Sequence, residues 1–190
     1  MNSLSVEDLA QAGIEVLQTA HDGSLNECGT VFVPRFDWVL ITPPDTSFHP
    51  RFFEIFSHAT AHRPDVAVFY FDTVAGAGAA QDVRLKPDWD STLFMSHDYV
   101  GLPILVKAQI IREAAVLFES RYASAAVFGM VLRAAAAGAV VARIEDILSH
   151  SAQPCRSLAC DRRLVLEDWF NESKLPYYVE SGLAAQALEI

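Results

Sequence analysis

The chain has 190 residues, 52% apolar and 20% charged, enough for one substantial hydrophobic core; this excludes a disordered tail or a disulfide-stapled miniprotein. Twenty-four acidic residues against 14 basic ones leave a net charge of −10, which argues against a general nucleic-acid binder, because neutralising phosphates takes a surplus of Lys and Arg. Three cysteines without regular spacing point to reduced thiols rather than a secreted framework; Cys155 and Cys160 could pair, with free thiols the plainer reading.

The opening MNSLSVEDLAQAG has no basic segment leading into an apolar run, so no signal peptide is expected. Val6 to Ala12 reads as a short helix and Gly13 to Gln18 as a strand, while His21 to Pro34 carries no clear signal. Trp38 to Thr42 is a continuous apolar run ended by Pro43 and Pro44, which cannot donate to a ladder, so PPDTSFHP is expected as a loop at a strand's C-terminal end. A helix follows from Pro50 to His62, with Phe52, Phe53, Ile55 and Phe56 as its apolar face and Arg63-Pro64 as its stop.

Asp65 to Asp72 (DVAVFYFD) reads as a strand apolar on both faces, ending in Asp72 at another carboxyl edge. Thr73 to Gln81 is rich in Gly and Ala and suits a mobile loop or hairpin. Further on come a strand near Leu102 to Lys107, a helix from Ala108 and a longer helix from Tyr122 to Gly138. Val140 to Ile144 is then a short strand with a loop through His150, and Leu158 to Phe170 a helix packing through Leu164, Leu166, Trp169 and Phe170. The most membrane-like stretch, Ala123 to Ala142, carries Arg133 and is interrupted by Gly138, so a buried helix fits it better than a span. The expectation is a single α/β domain over residues 1–190 with helices on both sheet faces, soluble and cytoplasmic, with membrane-surface association left open.

Ligands of open α/β sheets bind beyond the carboxyl ends of strands. Asp45, Asp72 and the Asp88/Asp90 pair around Trp89 fall near such ends, where carboxylates could hold a hard divalent cation bridging a diphosphate. The competing reading is that Asp45 and Asp72 satisfy nearby backbone amides. His58 and His62, four apart on one helix face, have a spacing that can bind zinc, but residue 59 is Ala, so the glutamate of a zinc protease is missing and a solvated pair is the plainer reading. His150 near a crevice edge could bind metal or phosphate. Gly76 to Ala80 is not followed by the Lys-Ser or Lys-Thr of a phosphate loop, and no Ser, His and Asp constellation stands out.

The order of segments from Phe36 to about Ser151 resembles the family 2 glycosyltransferases of the GT-A fold, especially those of cell-surface polysaccharide assembly. FDWVLITPPDTSFHP looks like the family's strand leading into its Asp-x-Asp motif, and PDVAVFYFD like its next strand. RLKPDWDSTLFMSHDYVGLPILVKAQII is the strongest match, similar to the Lys-Pro-Asp-Trp-Ser segment and the Asn-Tyr-Ile-Gly turn; VLRAAAAGAVVARIEDILSHS resembles the late helix and His-containing loop. The resemblance implies a GT-A-like, mixed but mainly parallel sheet and inverting transfer of a sugar from a nucleotide-diphosphate-sugar donor to a saccharide acceptor, with Mn or Mg as cofactor. Asp45 takes the place of the second Asp of Asp-x-Asp, a metal ligand, and His150 that of the late His at the metal or diphosphate. Trp89 and Asp90 would line the donor or acceptor cleft beside Asp72, with Tyr99 and Gly101 shaping its floor. The sequence departs from the pattern at Pro43, where the first Asp is replaced, and at Val127 and Gly129, where the family has the acidic pair that supplies the base. The usual first strand and nucleotide loop also lack a counterpart before Gly13. The alternative is therefore a catalytically inactive GT-A-like binding or scaffolding module, and a protein partner or a second copy could supply the missing part.

Overall fold

A computed structural model describes residues 4, 8–9, 13–21, 23–25, 33–76, 81–113, 120–151, 159–177, 179–181 and 188–189. Most of the expected helix at Val6 to Ala12, the Gly/Ala-rich residues 77–80 and the side chains of Cys155 and Cys160 lie outside them. In chain order the elements are strands β1 (Ile14–Gln18), β2 (Trp38–Thr42) and β3 (Thr46–Phe48), helix α1 (Phe52–His62), strands β4 (Val66–Ala75) and β5 (Asp82–Arg84), helix α2 (Ser91–Ser96), strand β6 (Ile104–Lys107), helix α3 (Ala108–Glu113), a 3-10 helix (Ser120–Ala125), helix α4 (Ala126–Ala136), strand β7 (Val140–Ser151) and helix α5 (Ala159–Glu172). Two-residue strands β8 (Glu180–Ser181) and β9 (Leu188–Glu189) pair with each other. Among the described residues no helix is long and apolar enough to cross a membrane.

The main sheet has the order β1-β2-β6-β4-β7-β3, with β5 beside β4. It is mixed rather than mainly parallel: only β1/β2 and β4/β7 pair in parallel, while β6, β3 and β5 return antiparallel to their neighbours. β1, β2, β4 and β7 nevertheless run the same way, so their carboxyl ends share one edge. Only Pro43, Pro44 and Asp45 separate β2 from β3, a reach of about 14 Å at full extension. In a flat sheet four strand spacings, about 19 Å, would separate them. The sheet must therefore curl so that its far edge closes towards the end of β2.

Alternation along the strands feeds two cores. Val39, Ile41, Val68, Tyr70, Ile104 and Val106 pack with α4 and α5 through Met130, Val131, Val165 and Leu166. Leu40, Phe69, Phe71 and Leu105 point to the other face, where α1 buries Phe52 and Phe56. Helices on both faces are thus a consequence of strands that are apolar at every position. Helix α4 stops where Gly138, at φ +93°, lets its N–H reach the Ala135 carbonyl while Ala139 N–H reaches that of Ala134, a left-handed end that side chains resist.

Three boundaries differ from expectation. PPDTSFHP is not wholly a loop, because Thr46, Ser47 and Phe48 pair with Ser151, His150 and Ser149. Strand β4 continues past Asp72 to Ala75, held by β7 and by β5, so Thr73 to Ala75 are strand rather than loop. Strand β7 runs through His150 instead of ending at Ile144. In each case polar or small residues are extended because a neighbouring ladder holds them, which a local apolar pattern does not reveal. The β4/β7 register is irregular on both sides of Asp72.

Candidate functional site

Asp72 lies inside β4, buried, and not at a strand end. Arg143 of β7 grips it with both arms of its fork, Nε to Oδ1 at 3.1 Å and Nη2 to Oδ2 at 2.6 Å, and the Lys86 backbone N–H donates to Oδ1 at 2.8 Å. The hydrogen bond to Asp72 holds the guanidinium pKa of Arg143 above its ordinary value. The exposed Asp88 carboxylate sits 4.0 Å from the outer face of the same guanidinium. Sequence reading missed Arg143; the available signal was one cation in the apolar run VVARI, but its partner is 71 residues away.

The segment that carries the strongest family likeness is a tightly bonded turn. Lys86 is buried with its ammonium donating to the Val100 carbonyl, and Tyr70 of β4 donates its hydroxyl to the Pro87 carbonyl at 2.7 Å. Asp90 starts α2, its Oδ1 accepting from Leu93 N–H at 2.8 Å. The Tyr99 hydroxyl accepts from Asp90 N–H at 2.8 Å and donates towards the Asp90 carbonyl at 3.1 Å. Burial pushes the phenol pKa values of Tyr70 and Tyr99 up. Trp89 is half-buried and packs on Phe94 and Tyr99 at ring separations of 5.1 and 6.4 Å. Gly101 turns the chain at φ +49°, its N–H bonded to Asp98 Oδ1 at 3.1 Å. The polar groups of Asp90, Tyr99 and Gly101 are thus joined by bonds that shape the turn.

Asp45 stands in the strap between β2 and β3 at φ +58°, exposed, with His21 Nε2 3.9 Å from its carboxylate. The β3/β7 ladder sets Ser47 opposite His150, so Asp45 and His150 come to the same end of that ladder. The Gln81 side-chain amide nitrogen lies 3.5 Å from His150 Nε2; the Gly76 carbonyl, which can only accept, is 2.8 Å from the same atom, so this nitrogen donates to it. That is the arrangement of metal-binding imidazoles, whose second nitrogen donates to a carbonyl. Asp72, in contrast, is taken up by Arg143. Among the described residues no three His, Cys, Asp or Glu side chains converge.

Beside His150 a groove of about 260 Å³ opens between β3, β4 and β7. Ser47, His49, Gln81 and Ser149 line it over walls of Phe48, Pro50, Val74 and Ile147. The Ser149 hydroxyl is buried and has no hydrogen-bond partner among the described residues. Val127 and Gly129 lie in the buried body of α4. No protein-family model matches the chain, and no curated protein matches it.

Proposed function

We propose that the chain is a glycosyltransferase-like domain that takes up a nucleotide-diphosphate sugar at the shared carboxyl edge of its sheet, related to transfer onto a saccharide acceptor. The observation that supports this best is His150, whose proton is fixed on Nε2 by Gly76 while the β3/β7 ladder sets it at the same end as Asp45. A divalent ion such as Mn or Mg held there would offset charge on a departing diphosphate. The residues do the rest by orientation: the Gly76 carbonyl holds the imidazole through Nε2, and the groove beside it offers hydroxyl, imidazole and amide groups over an apolar wall. Trp89, Asp90, Tyr99 and Gly101 do not line this groove; they build the turn between β5 and β6.

A second reading, a binding or scaffolding module without transfer activity, is favoured by Val127 and Gly129. Neither can accept a proton, and both are buried in α4. Asp72 does not stand in for them, buried as it is and held by three hydrogen bonds from Arg143 and Lys86.

Thermal unfolding with uridine, guanosine and thymidine diphosphates, with and without Mn, tests both. A nucleotide at a hundred times its Kd stabilises the fold by about 2.7 kcal/mol. The expected result is a Mn-dependent upward shift with one nucleotide, lost in Asp45→Ala and in His150→Ala. No shift at millimolar nucleotide sinks the donor-binding reading. A shift without sugar transfer or donor hydrolysis leaves the module as the function.

A further inference from the structure

We propose that His58 and His62 form a second, independent metal site on the outer face of α1, a two-imidazole chelate for one borderline transition-metal ion of the Ni²⁺, Cu²⁺ and Zn²⁺ class. The two residues are one helical turn apart and exposed, and their rings stack with centroids 3.9 Å apart at an angle of 29°. His62 Nδ1 donates to the His58 carbonyl at 2.9 Å, which fixes the tautomer and turns an Nε2 lone pair outward. Anchoring one imidazole nitrogen on a carbonyl is what orients a histidine as a ligand and raises its basicity.

The one-turn spacing suits chelation. Metal to imidazole bonds of about 2.0–2.1 Å in tetrahedral geometry bring the two nitrogens to roughly 3.4 Å. The rings, now stacked with centroids 3.9 Å apart, would have to tilt out of the stack so that one lone pair of each meets at the ion, which χ rotation of two exposed side chains allows. The helix does not have to move, because Phe52 and Phe56 on its inner side are buried against the sheet and fix the spacing of the turns. Glu54, one turn before His58, is held by the Arg51 guanidinium at 2.8 and 2.9 Å, so the protein offers two neutral nitrogen ligands and leaves the other positions to water. Imidazole ligands without a carboxylate favour Ni, Cu or Zn over Mg or Ca, which prefer oxygen. None of the residues invoked for the nucleotide takes part.

Calorimetric titration of the untagged full chain with Ni²⁺ tests the proposal. One equivalent that persists in His150→Ala is expected to bind, and His58→Ala and His62→Ala are each expected to weaken it by about tenfold or more. Both side chains are exposed, so the variants fold, which their circular dichroism checks. His21→Ala is expected to bind Ni²⁺ as the parent does. Absence of binding to the parent chain overturns the site. Binding that survives in both single α1 variants overturns it too, since the ion is then held elsewhere, on the thiols for instance. Loss of binding in His150→Ala alone moves the ion to the sheet edge and likewise overturns it.

Discussion

Asp72 and Arg143 show how a carboxylate at a suggestive position can be structural. The pair is buried on the Asp72 side and bidentate, so deleting either partner strands a charge away from water. Arg143→Met is expected to lower the unfolding free energy by about 3–5 kcal/mol, read by urea denaturation, with Asp72→Asn close to it. The Asp72→Leu/Arg143→Met double variant is expected to recover part of the loss, because no charge is left unpaired, although the Lys86 N–H loses the Asp72 carboxylate as its acceptor. If Arg143→Met were neutral while the fold stayed intact, the pair would not be holding β4 to β7. The aspartate could be singled out from sequence because an acid closes an otherwise apolar run. Its role could not, because that depends on a partner 71 positions away. Asp45 and His150 were singled out by their places after strands and by family likeness, and what the structure adds is the ladder that sets them at one end and the carbonyl that accepts from the imidazole.

Helix α2 carries a lesson about elements. Its six residues have little intrinsic stability, and Asp90 satisfies one of the amides at its start. Asp90→Ala is expected to cost about 1 kcal/mol by chemical denaturation, and Asp90→Ser to regain most of it, since serine also caps. Equal losses in both variants would mean that Asp90 matters through something other than its cap. Elements with a continuous apolar run between prolines or glycines, such as β2, α1 and α4, were readable in the chain. β3 and the outer halves of β4 and β7 were not, since Thr46, Ser47, Thr73 and Ser149 carry no strand signature and are extended by pairing alone. Direction within the sheet was equally hidden: β6 is as apolar as its neighbours, and nothing in ILVK says that it runs backwards.

At the scale of the whole molecule the buried phenols give the fold an alkaline limit. The pKa of Tyr70 is raised first by burial, and that of Tyr99 likewise, so the folded chain keeps protons that the unfolded chain releases near pH 10. The unfolded state then binds fewer protons than the native one, and stability falls as pH rises above about 10, while below that it is unaffected by these groups. Circular dichroism and the part of the phenolate absorbance that Tyr70→Phe removes are expected to change in one transition, with Tyr70 ionising only as the chain opens. In Tyr70→Phe the neutral stability drops by about 1 kcal/mol for the lost bond to Pro87, but its decline above pH 10 becomes shallower. A decline as steep as the parent's would assign the alkaline loss to other groups.

The irregular pairing around Asp72 has a bearing on how the chain finds its fold. A central strand that sends alternate residues into two different cores can slide by one residue and still bury apolar side chains, only in the wrong layers. The slide would take the carboxylate of Asp72 away from the Arg143 fork and press it unpaired against phenylalanines, at a penalty of several kcal/mol. One ionic contact in the middle of an apolar sheet thus acts as a key for strand alignment. It discriminates among pairings that hydrophobicity alone would leave nearly equivalent during folding.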